Sequence, residues 1–138
     1  MTARRLAAPL AAALVVAVGG VAACVHGVAR PFAIAGPSMQ PTLFEGDRVV
    51  VDLWTYGGRA PRRGELVLVE LADGRSLVKR IASDEIPGEH FGESLFEVLG
   101  DNAAASDDSR RFGPVPRERI RGRVVLRYWP PSRAGAIR

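Results

Sequence analysis

The chain has 138 residues, a formal net charge of +4, one cysteine and two histidines. This length has room for one domain. The single cysteine, Cys24, excludes a disulfide within the chain and a thiolate metal cluster, and His26 and His90 are a poor supply for a histidine metal site or a Ser-His-Asp triad. We therefore expect no metal and no cofactor, and nucleophilic catalysis here would need a base other than histidine.

An apolar run begins the chain. Residues 6–29 contain no ionised side chain and are flanked by Arg4 and Arg5 on one side and Arg30 on the other. A helix of this length rises about 36 Å, enough to cross the hydrocarbon layer of a bilayer. By the positive-inside rule, residues 1–5 should remain cytoplasmic. The pattern predicts one transmembrane anchor at 6–29, with residues 30–138 on the extracytoplasmic side.

Other interpretations of the same run remain open. Charge followed by apolar and small residues also describes a cleaved secretory signal, and "VAAC" at 21–24 resembles the lipid-attachment box of lipoproteins. A buried helix is a further alternative. Every membrane interpretation places residues 31–138 outside the cytoplasm, and Ser38, nine residues after Ala29, within about 30 Å of the membrane surface. The lipid bilayer is therefore an expected partner.

Short apolar segments rich in β-branched residues recur between turn signals after residue 30, and none has the period of an amphipathic helix. They are typical of strands, so residues 30–130 are predicted to form a mainly β domain, a small barrel or folded sheet. Residues 131–138 are predicted to be a flexible tail. The predicted strands are 47–54, 65–71, 76–82, 94–99 and 119–129.

The C-terminal end is strongly basic. Residues 110–138 carry nine arginines against Glu118 alone, and such a segment can meet nucleic acid or anionic lipid. In the strand predicted at 119–129, however, alternation places arginines on one face and apolar residues on the other. The apolar face would consist of Ile120, Val124, Leu126 and Tyr128. This pattern favours a solvated strand face, with lipid headgroups as a more suitable partner than nucleic acid.

The segment "GPSMQPTL" at 36–43 surrounds one hydroxyl with two prolines. Pro37 and Pro41 fix φ at their own positions and disfavour the helical region for the residue before each. Ser38 is therefore expected on a rigid loop, whose backbone N–H groups could receive an oxyanion. A serine nucleophile also needs an adjacent base.

Lys79 is the only lysine in a chain that has 18 arginines. A guanidinium cannot be deprotonated in a protein, whereas a buried ammonium can lose its proton near neutral pH. Strand alternation in "SLVKRIA" places Lys79 on the face of Leu77 and Ile81, where its pKa should be low, as a general base requires. The alternative is a lysine whose stem packs on the core while its amine reaches water. With Ser38, Lys79 would form a known variant of the serine-protease arrangement.

The stretch "GDNAAASDDSRRFGPV" at 100–115 has an unusual composition. It could be a polar loop whose side chains bond their own backbone. Alternatively, Ser106 or Ser109 could orient the lysine amine, while Asp108 and Arg110 brace the loop as an ion pair.

The apolar run followed by "GPSMQPTL", "GDRVVV", "LVKRI" and "GDNAAASDDSRRFGPV" resembles the signal peptidase I family of membrane-anchored Ser/Lys endopeptidases. The resemblance covers most of the chain and implies a small, signal-peptidase-like β-sheet catalytic domain. Its implied substrates are exported precursor proteins, cut after small residues in an Ala-X-Ala pattern. It also implies that Ser38 is the acylating nucleophile and Lys79 its general base.

The resemblance assigns supporting roles as well. Ser106 matches a family serine that contacts the lysine, and Asp108 with Arg110 matches a supporting salt bridge. Met39 matches the residue after the nucleophile, whose backbone lies beside the substrate. Gly36 stands where some members have a serine that donates to the oxyanion, so here the oxyanion would depend mainly on backbone N–H groups, that of Ser38 first.

Two further departures point to a compact branch of the family. The residues after Lys79 lack the expected Gly-x-Pro-Gly-Asp turn, and the short span between Ile81 and "GDN" leaves no room for a large second domain. The length and "GRVVLRYWP" near the end look closer to enzymes similar to the maturation proteases of nickel-type superoxide dismutase. A dedicated propeptide is therefore the alternative substrate to signal peptides.

Two alternatives from other classes remain. A tethered, non-catalytic β binding module would present its basic C-terminal face to lipid or to a partner. A self-cleaving Ser/Lys repressor-type protease would share the chemistry, but the predicted anchor and the absence of a DNA-binding helical domain before the serine argue against it.

Overall fold

The computed structural model describes residues 27–138, which fold into ten strands with short helical segments between them. One-turn helices lie at Thr55–Gly58 and Ser109–Phe112. The strands are β1 (Ala29–Ala33), β2 (Arg48–Asp52), β3 (Leu66–Glu70), β4 (Ser76–Ile81), β5 (Ile86–Pro87), β6 (Ser94–Phe96), β7 (Val98–Leu99), β8 (Val115–Pro116), β9 (Ile120–Trp129) and β10 (Gly135–Ala136).

The main sheet has the order β1-β2-β9-β3-β4-β7, and β10 pairs with β9. A second, small sheet has the order β5-β6-β8. All of these pairings are antiparallel. The longest strand, β9, lies at the centre of the main sheet and pairs with both β2 and β3. The prediction of a mainly β domain is therefore confirmed.

Strand β3 is buried on both faces and separates two hydrophobic clusters. Leu66 and Leu68 belong to one cluster, whereas Val67 and Val69 belong to the other, as the period of two in a strand requires. A strand buried on both faces needs a continuous apolar sequence, and "LVLV" supplies it. The first cluster includes Met39 from the "GPSMQPTL" loop, so the core itself anchors that loop.

The described residues begin at 27, so they include only the last three residues of the predicted anchor. Ala29, the last residue of the segment predicted to span the membrane, already begins β1, a strand that the sequence pattern did not predict. Nearly all of the predicted anchor, residues 6–26, lies outside the described residues. Within residues 27–138, no helix has the length and apolar character needed to cross a bilayer.

The predicted strand 94–99 is divided between the two sheets. Residues Ser94–Phe96 form β6 in the small sheet, and Val98–Leu99 form β7 beside β4. The exposed Glu97 lies between them. Phe96 and Val98 are both fully buried, so the chain changes sheets without leaving the core.

Residues 131–138 are part of the fold and not the flexible tail that we predicted. A helical turn at Pro131–Arg133 leads into β10, which pairs with Arg127 and Leu126 of β9. The carboxylate of Asp47, which has no exposed surface, accepts hydrogen bonds from Arg133 and, at 3.1 Å, from Arg127. A buried carboxylate needs such partners, and the bond from Arg133 holds residues 131–138 against the rest of the fold.

The predicted division of β9 into an arginine face and a buried apolar face is correct only for the first half of the strand. Ile120 and Val124 are buried as predicted, but Leu126 and Tyr128 are 39% and 40% exposed. The β2–β9 register shifts at two places, and such irregularities change which residues face the core.

Candidate active site

The hydroxyl of Ser38 and the amine of Lys79 lie within hydrogen-bond distance, with 2.8 Å between Oγ and Nζ. Ser38 belongs to the loop between β1 and β2, and Lys79 belongs to β4. Lys79 is 2% exposed, whereas Ser38 is half-buried. The fold thus places a partly accessible hydroxyl against a buried amine.

Burial favours the uncharged form of the Lys79 amine. It lowers the pKa of Lys79 from the usual 10.5, since a charged amine loses its hydration there; Asp108 and Asp107 oppose this shift, and Arg110 adds to it. The deprotonated amine has a lone pair that can accept the Ser38 O–H. The sequence predicted a lowered pKa for Lys79, and the structure gives the same direction.

Hydrogen bonds from the 100–108 loop hold the serine loop. The N–H of Asn102 donates to the Ser38 carbonyl at 2.9 Å, and its side-chain amide donates to the Pro37 carbonyl at 3.2 Å. Within residues 27–138, the N–H groups of Ser38 and Met39 have no hydrogen-bond acceptor. The fold itself therefore leaves these two donors, which neighbour the Ser38 hydroxyl in the chain, unused.

Gly36 fits the loop through its backbone. Its φ of +76° lies in the left-handed region that favours glycine, although a Cβ at this position would meet no other atom within 4 Å. Gly36 therefore shapes the approach to Pro37 and contributes no side-chain donor.

Gly100 allows the two loops to touch. A Cβ on Gly100 would lie 2.1 Å from Ser106 Oγ and 2.6 Å from the Ser38 carbonyl oxygen. Both distances are too short for a real side chain, so this close approach requires glycine. The Gly100 N–H donates to Asp108 at 2.9 Å, which ties this contact to the acidic part of the loop.

Ser106 lies in this group but does not hydrogen-bond to Lys79. Its Oγ is buried and has no well-formed hydrogen bond to any described residue. The Ser106 hydroxyl is near enough to Asp108 to help lower the pKa of that carboxyl. Ser109, the second hydroxyl that we considered, donates to nothing near the lysine; instead its Oγ accepts the Val98 N–H at 2.9 Å.

Asp108 is an ionised, buried carboxylate. It is 1% exposed and accepts hydrogen bonds from Arg110 Nε at 2.9 Å and Arg110 Nη2 at 2.5 Å. Burial alone would raise the pKa of Asp108, but the hydrogen bonds from Arg110 and Gly100, with the nearby Ser106 hydroxyl, hold it well below its usual range. The Asp108–Arg110 pair therefore forms as the sequence suggested, next to Lys79.

A second ion pair lies beside Lys79, and we did not predict it. Arg80 donates to both carboxylate oxygens of Asp101, at 2.8 and 2.7 Å. Thr42, from the serine loop, donates to the same carboxylate at 2.5 Å. This group joins β4, the serine loop and the 100–108 loop, so it fixes the Ser38–Lys79 distance from the opposite side. The only signal in the sequence was the pair of polar residues that follows Gly100.

A small pocket of about 80 Å³ opens beside the serine and the lysine. Its volume suits a small side chain better than a large one. Its apolar lining consists of Phe32, Ile34, Ala35, Met39, Leu77 and Val78.

Within residues 27–138, no group of three or more histidine, cysteine, aspartate or glutamate side chains is arranged to hold a metal ion. The candidate site is therefore built from a hydroxyl, an amine and their supporting ion pairs.

The fold and the site together define a β-sheet protein that holds a serine hydroxyl against a buried lysine amine at a sheet edge. The family model described as "Signal peptidase, peptidase S26" matches residues 7–91 and 92–129. The chain belongs to this signal peptidase family.

Curated relatives agree with this assignment. The chain is 32% identical to thylakoidal processing peptidase 1 of Arabidopsis thaliana, over 77% of this chain and 44% of the relative. It is 31% identical to probable signal peptidase I-2 of Synechocystis sp., over 80% of this chain and 67% of the relative. It is 32% identical to mitochondrial inner membrane protease subunit 1 of Homo sapiens, over 88% of this chain and 76% of the relative. The chain spans less than half the length of the thylakoidal relative.

Proposed function

We propose that this chain is a membrane-bound serine endopeptidase that uses Ser38 and Lys79 to cleave signal peptides from exported precursor proteins after small residues. The observation that carries the proposal is the 2.8 Å contact between Ser38 Oγ and the buried Lys79 Nζ. Membership of the signal peptidase family supports the reaction class.

Neutral Lys79 removes the proton from Ser38 Oγ as the oxygen attacks the scissile carbonyl carbon. The carbonyl oxygen gains the negative charge and is stabilised by the Ser38 N–H, with the Met39 N–H beside it. Collapse of this intermediate breaks the C–N bond, and the Lys79 ammonium gives its proton to the leaving amine. Lys79 then activates water, which releases the acyl group from Ser38.

The supporting residues hold the amine in place and limit the effect of the nearby carboxylate on its charge. We propose that Asp108 and Arg110 brace the loop as a fixed ion pair, and that the unbonded Ser106 hydroxyl orients the Lys79 amine when the substrate displaces water. The charge of Arg110 partly cancels that of Asp108 at Lys79. Deprotonation of the lysine is thus less costly than it would be beside an unpaired carboxylate.

The substrate would bind as an added strand. Strand β4 pairs with β3 from Ser76 to Arg80, but β7 covers only Arg80 and Ile81 on the other side. Residues 76–79 therefore present an open strand edge, and an extended peptide can pair with such an edge. Because the small pocket lies along this edge, the small residues that precede the cleaved bond would occupy it.

A membrane location is part of the proposal, and both the sequence and the relatives support it. The apolar run at 6–29 is proposed to anchor the chain in a single pass, with residues 30–138 on the extracytoplasmic side. A relative named as a mitochondrial inner membrane protease subunit supports a membrane-associated enzyme. Precursor proteins and the bilayer would be its partners.

The mechanism is tested with the full chain in detergent and a peptide that contains an Ala-X-Ala site. Ser38→Ala and Lys79→Ala should each abolish cleavage, whereas Ser132→Ala, an exposed serine in the C-terminal tail, should cleave like the wild type. Lys79→Arg keeps the positive charge but cannot accept a proton, so it should be inactive. Full activity in Lys79→Arg would disprove the neutral-lysine mechanism.

The substrate class needs a separate experiment. The N-termini of secreted proteins from cells that carry wild-type or Ser38→Ala enzyme should differ at many precursors if the enzyme processes signal peptides generally. A change at one protein only would favour a dedicated propeptide protease, such as the nickel superoxide dismutase type. If only loss of the arginines in β9 affects the cells, the chain acts as a tethered binding module.

A further inference from the structure

A larger pocket of about 320 Å³ lies near the start of β4. It opens between the β3–β4 turn and the end of the 100–115 loop, and its volume is within the range of sites that bind small ligands. Its floor is apolar and consists of Leu71, Phe112, Pro114 and Val115.

The charges around this pocket are engaged with one another. Arg75 donates to Asp73 at 2.7 Å and to Asp107 at 3.0 Å, and Arg111 lies 3.3 Å from Asp107. Arg119, which also lines the pocket, pairs with no carboxylate of residues 27–138 and lies 3.5 Å from the Glu70 carbonyl oxygen. The rim is thus polar and slightly basic, and the apolar floor is the surface left without a partner. An apolar side chain is therefore the occupant that this pocket fits.

The two pockets follow each other along β4. Residues 76–79 line the small pocket, and the preceding residues Asp73 and Arg75 line the large one. The loop on the opposite side is also continuous, because Asp107 lines the large pocket and Asp108 lies beside Lys79. A peptide paired with the open β4 edge would pass directly from one pocket to the other.

We propose that the large pocket is a specificity subsite for an apolar side chain of the precursor, about five to seven residues before the cleaved bond. This assignment depends on the proposed function. If the residue before the cleaved bond lies opposite Lys79, one-to-one strand pairing places Ser76 three positions further back and Arg75, where the β3–β4 turn ends, four positions further back. The pocket opens beyond this point, so the fifth to seventh residues before the cleaved bond would reach it. The β7 end of the edge is closed, so the peptide preceding the cleaved bond extends toward this pocket.

Ala72 offers a mild way to fill the pocket. It lines the pocket from an exposed turn, and the turn is held by main-chain hydrogen bonds from Leu71 to Arg75 and from Gly74 to Leu71. Ala72→Phe would occupy the space, and Ala72→Asp would place a charge against the apolar floor. Ala134→Phe, at an exposed position of the tail, is the matched control.

The experiment measures kcat/KM for peptides with one Ala-X-Ala site and either leucine or alanine at each of the fourth to eighth positions before the cleaved bond. Wild type and Ala134→Phe should prefer leucine about tenfold at one of the fifth to seventh positions, the size of discrimination that an apolar pocket gives. Ala72→Phe and Ala72→Asp should both reduce this ratio to about one at that position.

Equal rates for leucine and alanine at every position in the wild type would overturn the subsite, as would a preference that persists in both Ala72 variants. A complete lack of Ser38-dependent cleavage would overturn the proposed function, and the subsite with it. The two failures are distinguished because the first shows active enzyme without discrimination and the second shows no activity.

Discussion

Replacing Lys79 with methionine should abolish cleavage and change how the stability of the fold depends on pH. The burial of Lys79 lowers the pKa of its amine in the folded state. An unfolded lysine keeps its proton up to about pH 10.4. Between the folded-state pKa and that value, the unfolded chain binds one more proton than the folded chain. In this window, the stability of the wild type should rise with pH by up to about 1.4 kcal/mol per pH unit.

Lys79→Met removes this titration while keeping a side chain of similar length that suits a buried position. Below the folded-state pKa of Lys79, the wild type carries the full cost of a buried charge, so the variant gains most in relative stability there. The gain should shrink as the pH rises through the window and should stop changing above about pH 10.4. At neutral pH, the variant should therefore be inactive but more stable than the wild type.

Urea unfolding of the full chain in detergent, at intervals from about pH 6 to about pH 11, measures the stability difference between the two proteins. Other titrating groups, such as Tyr56, whose pKa burial raises, are common to both proteins, so their effects cancel in the difference. Leu77→Met, on the same strand face, should show a difference from wild type that is constant with pH. A constant difference for Lys79→Met as well would refute the argument that burial lowers the lysine pKa.

Three further substitutions test the supporting structure. Gly100→Ala should lower kcat about 100-fold, because its Cβ would displace the Ser38 carbonyl 2.6 Å away and such shifts of reacting groups are costly; unchanged single-turnover rates would contradict this. Asp101→Asn should lower the urea midpoint by the equivalent of about 1–3 kcal/mol, because Arg80 loses a charged partner; an unchanged midpoint would count against it. Asp108→Asn should destabilise by about 1–2 kcal/mol at pH 7, a value reduced for the 47% exposed side chain of Arg110. Since the pKa of Asp108 is lowered in the fold, that cost should fall as the pH drops below about 4, and acid-independent destabilisation would be the contrary result.

The sequence predicted the central strands because their patterns are local. The run "LVLV" and the alternation around Lys79 each indicate a strand without knowledge of any partner, and β3 and β4 lie within one residue of the predicted bounds. Strand β1 was missed because an apolar run leads into it, and β10 was missed because its pairing depends on the buried carboxylate of Asp47. Long-range contacts of this kind leave no periodic trace in the sequence.

The candidate site also contains residues that the sequence could identify and residues that it could not. Ser38 and Lys79 could be singled out because proline stiffening and a solitary lysine are visible in the sequence. Gly100 and the Arg80–Asp101 pair could not, because their importance depends on contact between loops that are distant in the chain. A glycine needed for close approach resembles any turn glycine until its neighbours are known.

The electrostatics of the site show why the lysine needs both partners of the Asp108–Arg110 pair. A buried amine next to an unpaired carboxylate would keep its proton, since the opposite charge raises its pKa. Arg110 acts in the opposite direction on Lys79 and at the same time holds Asp108 through two side-chain hydrogen bonds. The carboxylate can therefore fix the loop, through the Gly100 N–H, with less of its charge acting on the amine. Desolvation remains the largest influence on Lys79, and the amine can deprotonate beside the hydroxyl that it is proposed to activate.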